Sequence, residues 1–135
     1  MRRALPFLLL LAPAAAAEEA LVDYVVEDAA AIPAALAPPA GGPDIAAALF
    51  ESAGCAGCHG AGKGPDLSDI GARLTEGEIR LMIVEPRIVY PETEMPAYYT
   101  PGRFGEAPDE LVGRTRLSAG EIEALVAWLA APKGG

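Results

Sequence analysis

Five consecutive residues, Cys55-Ala56-Gly57-Cys58-His59, constrain this chain more than any other stretch. They contain both of its cysteines and its one histidine, in the order C-x-x-C-H. That spacing is the attachment signature of a c-type haem. Two thiols so placed can form thioethers with the vinyl groups on neighbouring edges of one porphyrin. The next residue then lies over the ring face, where an imidazole nitrogen can ligate the iron. A structural zinc site would need four ligands, usually from a second Cys/His pair, and the chain has none. A thioredoxin-like C-x-x-C belongs in a βαβ setting, whereas glycine and alanine surround this one. A short-loop disulfide beside an idle histidine is the blander alternative.

Upstream, residues 1–17 read as a secretory signal. Arg2 and Arg3 precede an apolar stretch from Ala4 to Leu11, and Ala15-Ala16-Ala17 offers a cleavage site before Glu18. Pro6 and Pro13 interrupt the apolar run, which falls well short of the ~20 residues that span a bilayer. No membrane span is therefore expected after cleavage. Bacterial c-type cytochromes receive their haem outside the cytoplasmic membrane, so the export signal and the haem motif agree on a periplasmic location.

Cleavage would leave 118 of the 135 residues, one domain by length. It removes Arg2 and Arg3 but no acidic residue, so the formal net charge moves from −9 to −11. Such a balance excludes a nucleic-acid binder. Solubility and steering toward a basic partner protein both fit it. Aromatic residues make up only 6% of the chain, beside 15 glycines and 13 prolines. A buried porphyrin would supply the large apolar body that these side chains lack, and the haem-free chain is expected to fold poorly.

Three segments follow: the signal at 1–17, an N-terminal arm at 18–43 and a haem-binding domain at 44–135. The arm has a short β-branched run from Leu21 to Val26, then alanine and proline up to Pro43, and is expected to carry little regular structure. Asp44 is expected to cap a helix over Ile45–Ser52 with Ile45, Ala48, Leu49 and Phe50 as its apolar face. After His59, glycines at 60, 62 and 64 lead into Pro65-Asp66-Leu67, a turn suited to wrapping the proximal haem face. A carbonyl near Pro65 is expected to accept a hydrogen bond from the second nitrogen of His59; a generic surface turn is the alternative.

Two capping boxes open further helices. Thr75-Glu76-Gly77-Glu78 precedes Ile79, Met82 and Ile83, with a stop before Pro86. Ser118-Ala119-Gly120-Glu121 precedes a stripe of Ile122, Leu125, Val126 and Leu129, with Trp128 beside it as a core anchor. Residues 86–117 hold five prolines and are expected to be irregular. Nothing alternates as a strand, so the expected fold class is all-α.

With no second histidine, the sixth iron ligand must be of another type. Met1 leaves with the signal. Met95 stands before Pro96 in a proline-rich loop where no core stripe claims it, and is the first candidate. Met82, on a helical apolar stripe where a core role is favoured, is second; an open or lysine-ligated iron comes last. His/Met ligation would close both axial positions and raise the potential, which suits an electron carrier without a catalytic site of its own.

The stretch from Arg73-Leu74-Thr75-Glu76-Gly77-Glu78-Ile79-Arg80 to Tyr90, followed by Glu94-Met95-Pro96-Ala97-Tyr98-Tyr99, resembles the SoxX family. These are the small mono-haem subunits of the periplasmic SoxAX complex of sulfur-oxidising bacteria. Gly64-Pro65-Asp66-Leu67 and the closing helix from Leu117 to Leu129 are similar too, so the likeness spans residues 44–131. The resemblance implies a class I cytochrome c fold with its first and last helices packed across each other. It implies one covalent haem c on Cys55 and Cys58, with His59 and Met95 as axial ligands. It also implies a SoxA partner, itself a c-type cytochrome with an unusual cysteine ligand. That complex oxidatively joins thiosulfate to a cysteine of the carrier SoxYZ, as an L-cysteine S-thiosulfotransferase. The SoxX haem would relay the electrons to a downstream acceptor. No further cysteine exists here, so the transferase chemistry belongs elsewhere. A free-standing soluble mono-haem shuttle is the alternative, and a thiol–disulfide oxidoreductase a distant third. The arm matches the family loosely; Arg73, Tyr98 and Tyr99 could reach haem propionates or a partner and receive no role.

Overall fold

A computed structural model describes residues 22, 24–103 and 105–133. The expected signal and its cleavage site lie outside them. Among the described residues, five helices follow in order: α1 (Pro43–Ser52), α2 (Cys55–His59), α3 (Ile70–Arg73), α4 (Glu76–Val84) and α5 (Ala119–Ala130). Short 3₁₀ turns occupy Pro86–Ile88 and Asp109–Leu111. The described residues form two isolated bridges but no strand, so the fold is all-α, as the sequence led us to expect.

Both capping boxes form. Thr75 and Ser118 accept from the backbone N–H of Glu78 and Glu121, whose carboxylates reach back to the cap N–H groups. Each box satisfies two of the donors that a helix start leaves unpaired. The α5 stripe of Ile122, Leu125, Val126 and Leu129 is buried and forms the centre of the core, with α1 and α4 packed against α5. Trp128 is half-buried, its ring 5.3 Å from that of Phe50, and Lys133 covers it at 3.9 Å. Gly71 brings α3 against the Ala130 carbonyl at the end of α5, where a Cβ would collide with that oxygen.

The first helix differs from expectation. Gly42, not Asp44, is its N-cap; Pro43 opens the helix and Asp44 falls within the first turn. Proline's fixed φ and missing N–H suit the first helical position, and an acidic side chain there complements the helix dipole. The buried face is also turned. Ala46 is fully buried, whereas Ile45 is 49% exposed and Ala48 is exposed. Ala46, Leu49 and Phe50 face inward instead, with the small Ala46 side chain at the tightest point.

The arm lies along the starts of α4 and α5. Ile32, only 1% exposed, donates its N–H to the Gly77 carbonyl at 3.0 Å, and Ala40 donates to the Gly120 carbonyl at 2.9 Å. Both glycines hold the second position after a cap. A Cβ on Gly77 would press on the Ile32 carbonyl at 3.0 Å, and one on Gly120 would meet Ala40 Cβ and the Pro38 carbonyl at 3.2 Å. Beneath the arm, Arg80 and Glu123 form a buried bidentate pair at 2.6 and 2.9 Å. Arg80 also donates to the Ile32 carbonyl at 2.8 Å, and the Leu36 N–H donates to Glu123 at 3.0 Å. Each nitrogen of Arg80 and each carboxylate oxygen of Glu123 therefore has a partner, as burial of charge requires.

Candidate functional site

The chain passes from α1 to α2 through Gly54, whose φ of +84° is a left-handed conformation that glycine adopts without strain. Helix α2 is a single turn made of the C-x-x-C-H residues themselves. Cys55 is half-buried and lines a cavity of about 540 Å³. Burial pushes its thiol pKa up, against a hydrogen bond with Tyr98 that lowers it. Cys58 is exposed and follows Cys55 on the same face of the turn. No disulfide joins them.

His59 also lines the cavity. Its Nδ1 lies 2.9 Å from the Pro65 carbonyl. A carbonyl only accepts, so Nδ1 carries the proton and the lone pair resides on Nε2, the nitrogen a metal would take. The turn that achieves this is local. Gly62 has φ +78°, and the Cys58 carbonyl accepts from Lys63 and Gly64 at 3.2 and 3.1 Å. A Cβ on Gly64 would sit 2.9 Å from His59 Nδ1, so the backbone can approach the ring only without a side chain.

Met95 comes from a loop fastened to the end of α4. A helix leaves its last carbonyls without internal partners. Here Tyr98 N–H donates to the Ile83 carbonyl at 3.0 Å, and Tyr99 N–H and Thr100 Oγ1 both donate to that of Val84 at 3.3 Å. Leu117 N–H then donates to the Tyr98 carbonyl at 3.0 Å, tying the loop to the approach to α5. Glu85 caps the 3₁₀ turn at Pro86 and receives Arg87 Nε and Nη2 at 2.7 and 2.8 Å. The Arg87 guanidinium beside it holds the Glu85 carboxyl below its ordinary pKa. Met95 itself is half-buried, with its N–H 3.1 Å from Thr93 Oγ1, and lines the cavity.

Three of the four expected site residues thus line one cavity, with Cys58 one helical turn from the first of them. Met82 lines the same cavity and is only half-buried, outside the packed core cluster. Its reading as a core residue therefore fails: Ile79 and Ile83 take the buried side of α4 and Met82 falls at its edge. Both lysines stand elsewhere. Lys63 is exposed, Lys133 donates to the Trp128 carbonyl at 3.1 Å, and neither lines the cavity. The iron ligands the cavity can offer from this set are an imidazole and two thioethers.

Sequence reasoning gave Tyr98 no role, yet it is buried in the cavity wall and its hydroxyl donates to the Ala53 carbonyl at 3.0 Å. With the Tyr98 contact to the Cys55 thiol, this bond ties the Met95 loop to the segment that carries the haem motif. Burial raises its phenol pKa to about 12. Its neighbour Tyr99 turns instead toward the arm, 6.5 Å from the Tyr24 ring. Arg73 lines the cavity from its exposed side, held by Asp69 at 2.9 Å and the Asp66 carbonyl at 2.9 Å.

The cavity fits a covalently tethered macrocycle. Its volume is within the ~300–1,000 Å³ of small-molecule sites, and its wall is mainly apolar with a few polar groups. Among the described residues no three His, Cys, Asp or Glu side chains gather as a metal site, so nothing completes the four-ligand zinc alternative.

The family model of cytochrome c matches residues 44–132. A chain of the crystal structure of SoxXA from P. pantotrophus superposes with a TM-score of 0.65 at 27% identity, over 81% of this chain and 92% of that one. No curated protein sequence matches the chain.

Proposed function

Because this chain belongs to the cytochrome c family, with a SoxX-like class I fold that transfers electrons through covalent haem c, we propose that it is the electron-transfer subunit of a periplasmic thiosulfate-oxidising complex. In this reading one haem is held by thioethers from Cys55 and Cys58, with His59 and Met95 on the iron. The observation that carries it is the hydrogen bond from His59 Nδ1–H to the Pro65 carbonyl, which leaves Nε2 as the free donor in a cavity also lined by Met95. Bound haem supplies one-electron chemistry between ferric and ferrous iron. His59 is fixed in ring plane and tautomer by Pro65, so little reorganisation accompanies the charge change. Met95 offers a soft thioether that favours the ferrous state and raises the potential. His59 and Met95 would both hold the iron, which suits electron transfer rather than substrate binding. Thiosulfate chemistry is left to a SoxA-like partner that loads the SoxYZ carrier, and this chain passes the electrons to a downstream acceptor.

The SoxXA neighbour supports the partner, and the basic–apolar–small order of residues 1–17 supports export. No helix among the described residues is long and apolar enough to cross a membrane.

Met95→Ala should abolish the long-wavelength thioether–iron band of the ferric protein, and Met82→Ala should leave it. The reverse outcome would move the ligand to Met82. The intact mass should carry the increment of one porphyrin. Purification from the native periplasm should bring a second c-type cytochrome along; a lone monomer at about micromolar concentration would favour the free shuttle.

A further inference from the structure

Four arginines of this acidic chain converge on a second cavity, of about 380 Å³, that shares Met95 with the first. They are Arg87, Arg103, Arg114 and Arg116. Arg87 is already matched by Glu85. The other three have no ion pair among the described residues, and Glu106 is the one carboxylate in the lining. Three guanidinium groups against one carboxylate leave an excess of two positive charges, in a chain whose net charge is −9.

The backbone beneath them is built for this approach. Gly102 donates to the Arg114 carbonyl at 3.2 Å and accepts from Gly113 N–H at 2.9 Å, which holds Arg103 and Arg114 beside each other. A Cβ on Gly102 would lie 2.5 Å from the Leu111 carbonyl, so only glycine permits the two segments to meet. Glu106 is the one counter-charge in the lining beside these exposed arginines, and an entering anion would supply the rest.

We propose that this cleft is a binding site for a small divalent oxoanion of the sulfate type. Planar guanidinium forks match the paired oxygens of such anions, and two excess charges match a dianion. The small volume suits a compact ligand. An extended acidic protein would meet the negative charge of the whole chain. A small anion feels mainly the field within a Debye length, ~8 Å at physiological salt. The site is independent of the haem ligation and of the thiosulfate reading above. Occupancy would tie the 103–116 segment to the wall that carries Met95.

Isothermal titration calorimetry of the intact holoprotein tests it, with sodium sulfate at an ionic strength held constant by chloride. Saturable one-to-one binding is expected, weakened roughly tenfold or more in Arg103→Gln/Arg114→Gln. Should that variant fold poorly by circular dichroism, Arg116→Gln carries the same expectation. Absence of saturable heat, or an affinity unchanged by the substitutions, overturns the proposal. So does saturation by a polyglutamate peptide when sulfate gives none, which would make the cleft a protein-docking surface.

Discussion

The two segments that carry the expected iron ligands are fastened in contrasting ways. Around His59 the links are short in sequence: Cys58 to Lys63 and Gly64, and the ring to Pro65 six positions on. Around Met95 they are long. Tyr98 alone reaches Ile83, Leu117 and, 45 positions away, Ala53. Local contacts close with little loop entropy, whereas distant ones wait for the fold. The imidazole is thus oriented by a turn that carries its own instructions, while the thioether is delivered by the assembled protein. One haem would therefore have a rigid side set by a handful of residues and a conditional side set by α4 and the approach to α5.

Removing the attachment should break the contrast altogether. Cys55→Ala/Cys58→Ala is expected to lose haem and with it the cooperative melt, a loss on the order of the whole ~5–15 kcal/mol of a small domain. A sharp calorimetric transition in the colourless variant would show that both segments stand without the cofactor. Gly64→Ala attacks the local side alone. The new Cβ, 2.9 Å from His59 Nδ1, must displace the ring or the turn, at about 1–3 kcal/mol read from denaturant midpoints. The thioether band should survive that change, and its disappearance would mean that the two sides are coupled.

Tyr98→Phe cuts the hydrogen bond between the sides and should cost about 1 kcal/mol, because the Ala53 carbonyl loses its donor. The same substitution should also change the pH dependence. The Tyr98 pKa is raised from the ordinary 10.0 to about 12, so folding favours the neutral phenol. Its stabilisation is complete below pH 10 and fades as pH climbs toward 12. Tyr98→Phe should flatten the unfolding free energy across that window; an unchanged slope would remove Tyr98 from the account.

This division also explains what could be read from the residues alone. The capping boxes at Thr75 and Ser118 and the His59–Pro65 bond each lie within a few residues, and all were legible. The start of α1 was misplaced because Pro43 outweighed Asp44 at the first turn. Its inward face was misread because only the neighbour α5 selects Ala46 over Ile45. Met82 was assigned to the core from its helical period, which does not distinguish a packed stripe from a cavity wall. Nothing local marks Arg80 and Glu123 as partners across 43 positions, or Gly77 and Gly120 as seats for the arm. Of the cavity, the motif was visible and the enclosing wall was not.

The arm's grip has a consequence for assembly. Its links to the body at Ile32, Leu36 and Ala40 all use main-chain atoms of the arm, and two of them meet a carboxylate and a guanidinium contributed by different helices. Such a latch can shut only after those helices have found one another, so it would be the last piece to click home and the first to let go. Because these bonds use peptide groups, the alanines and prolines between Ile32, itself buried, and Ala40 can change while the path stays put.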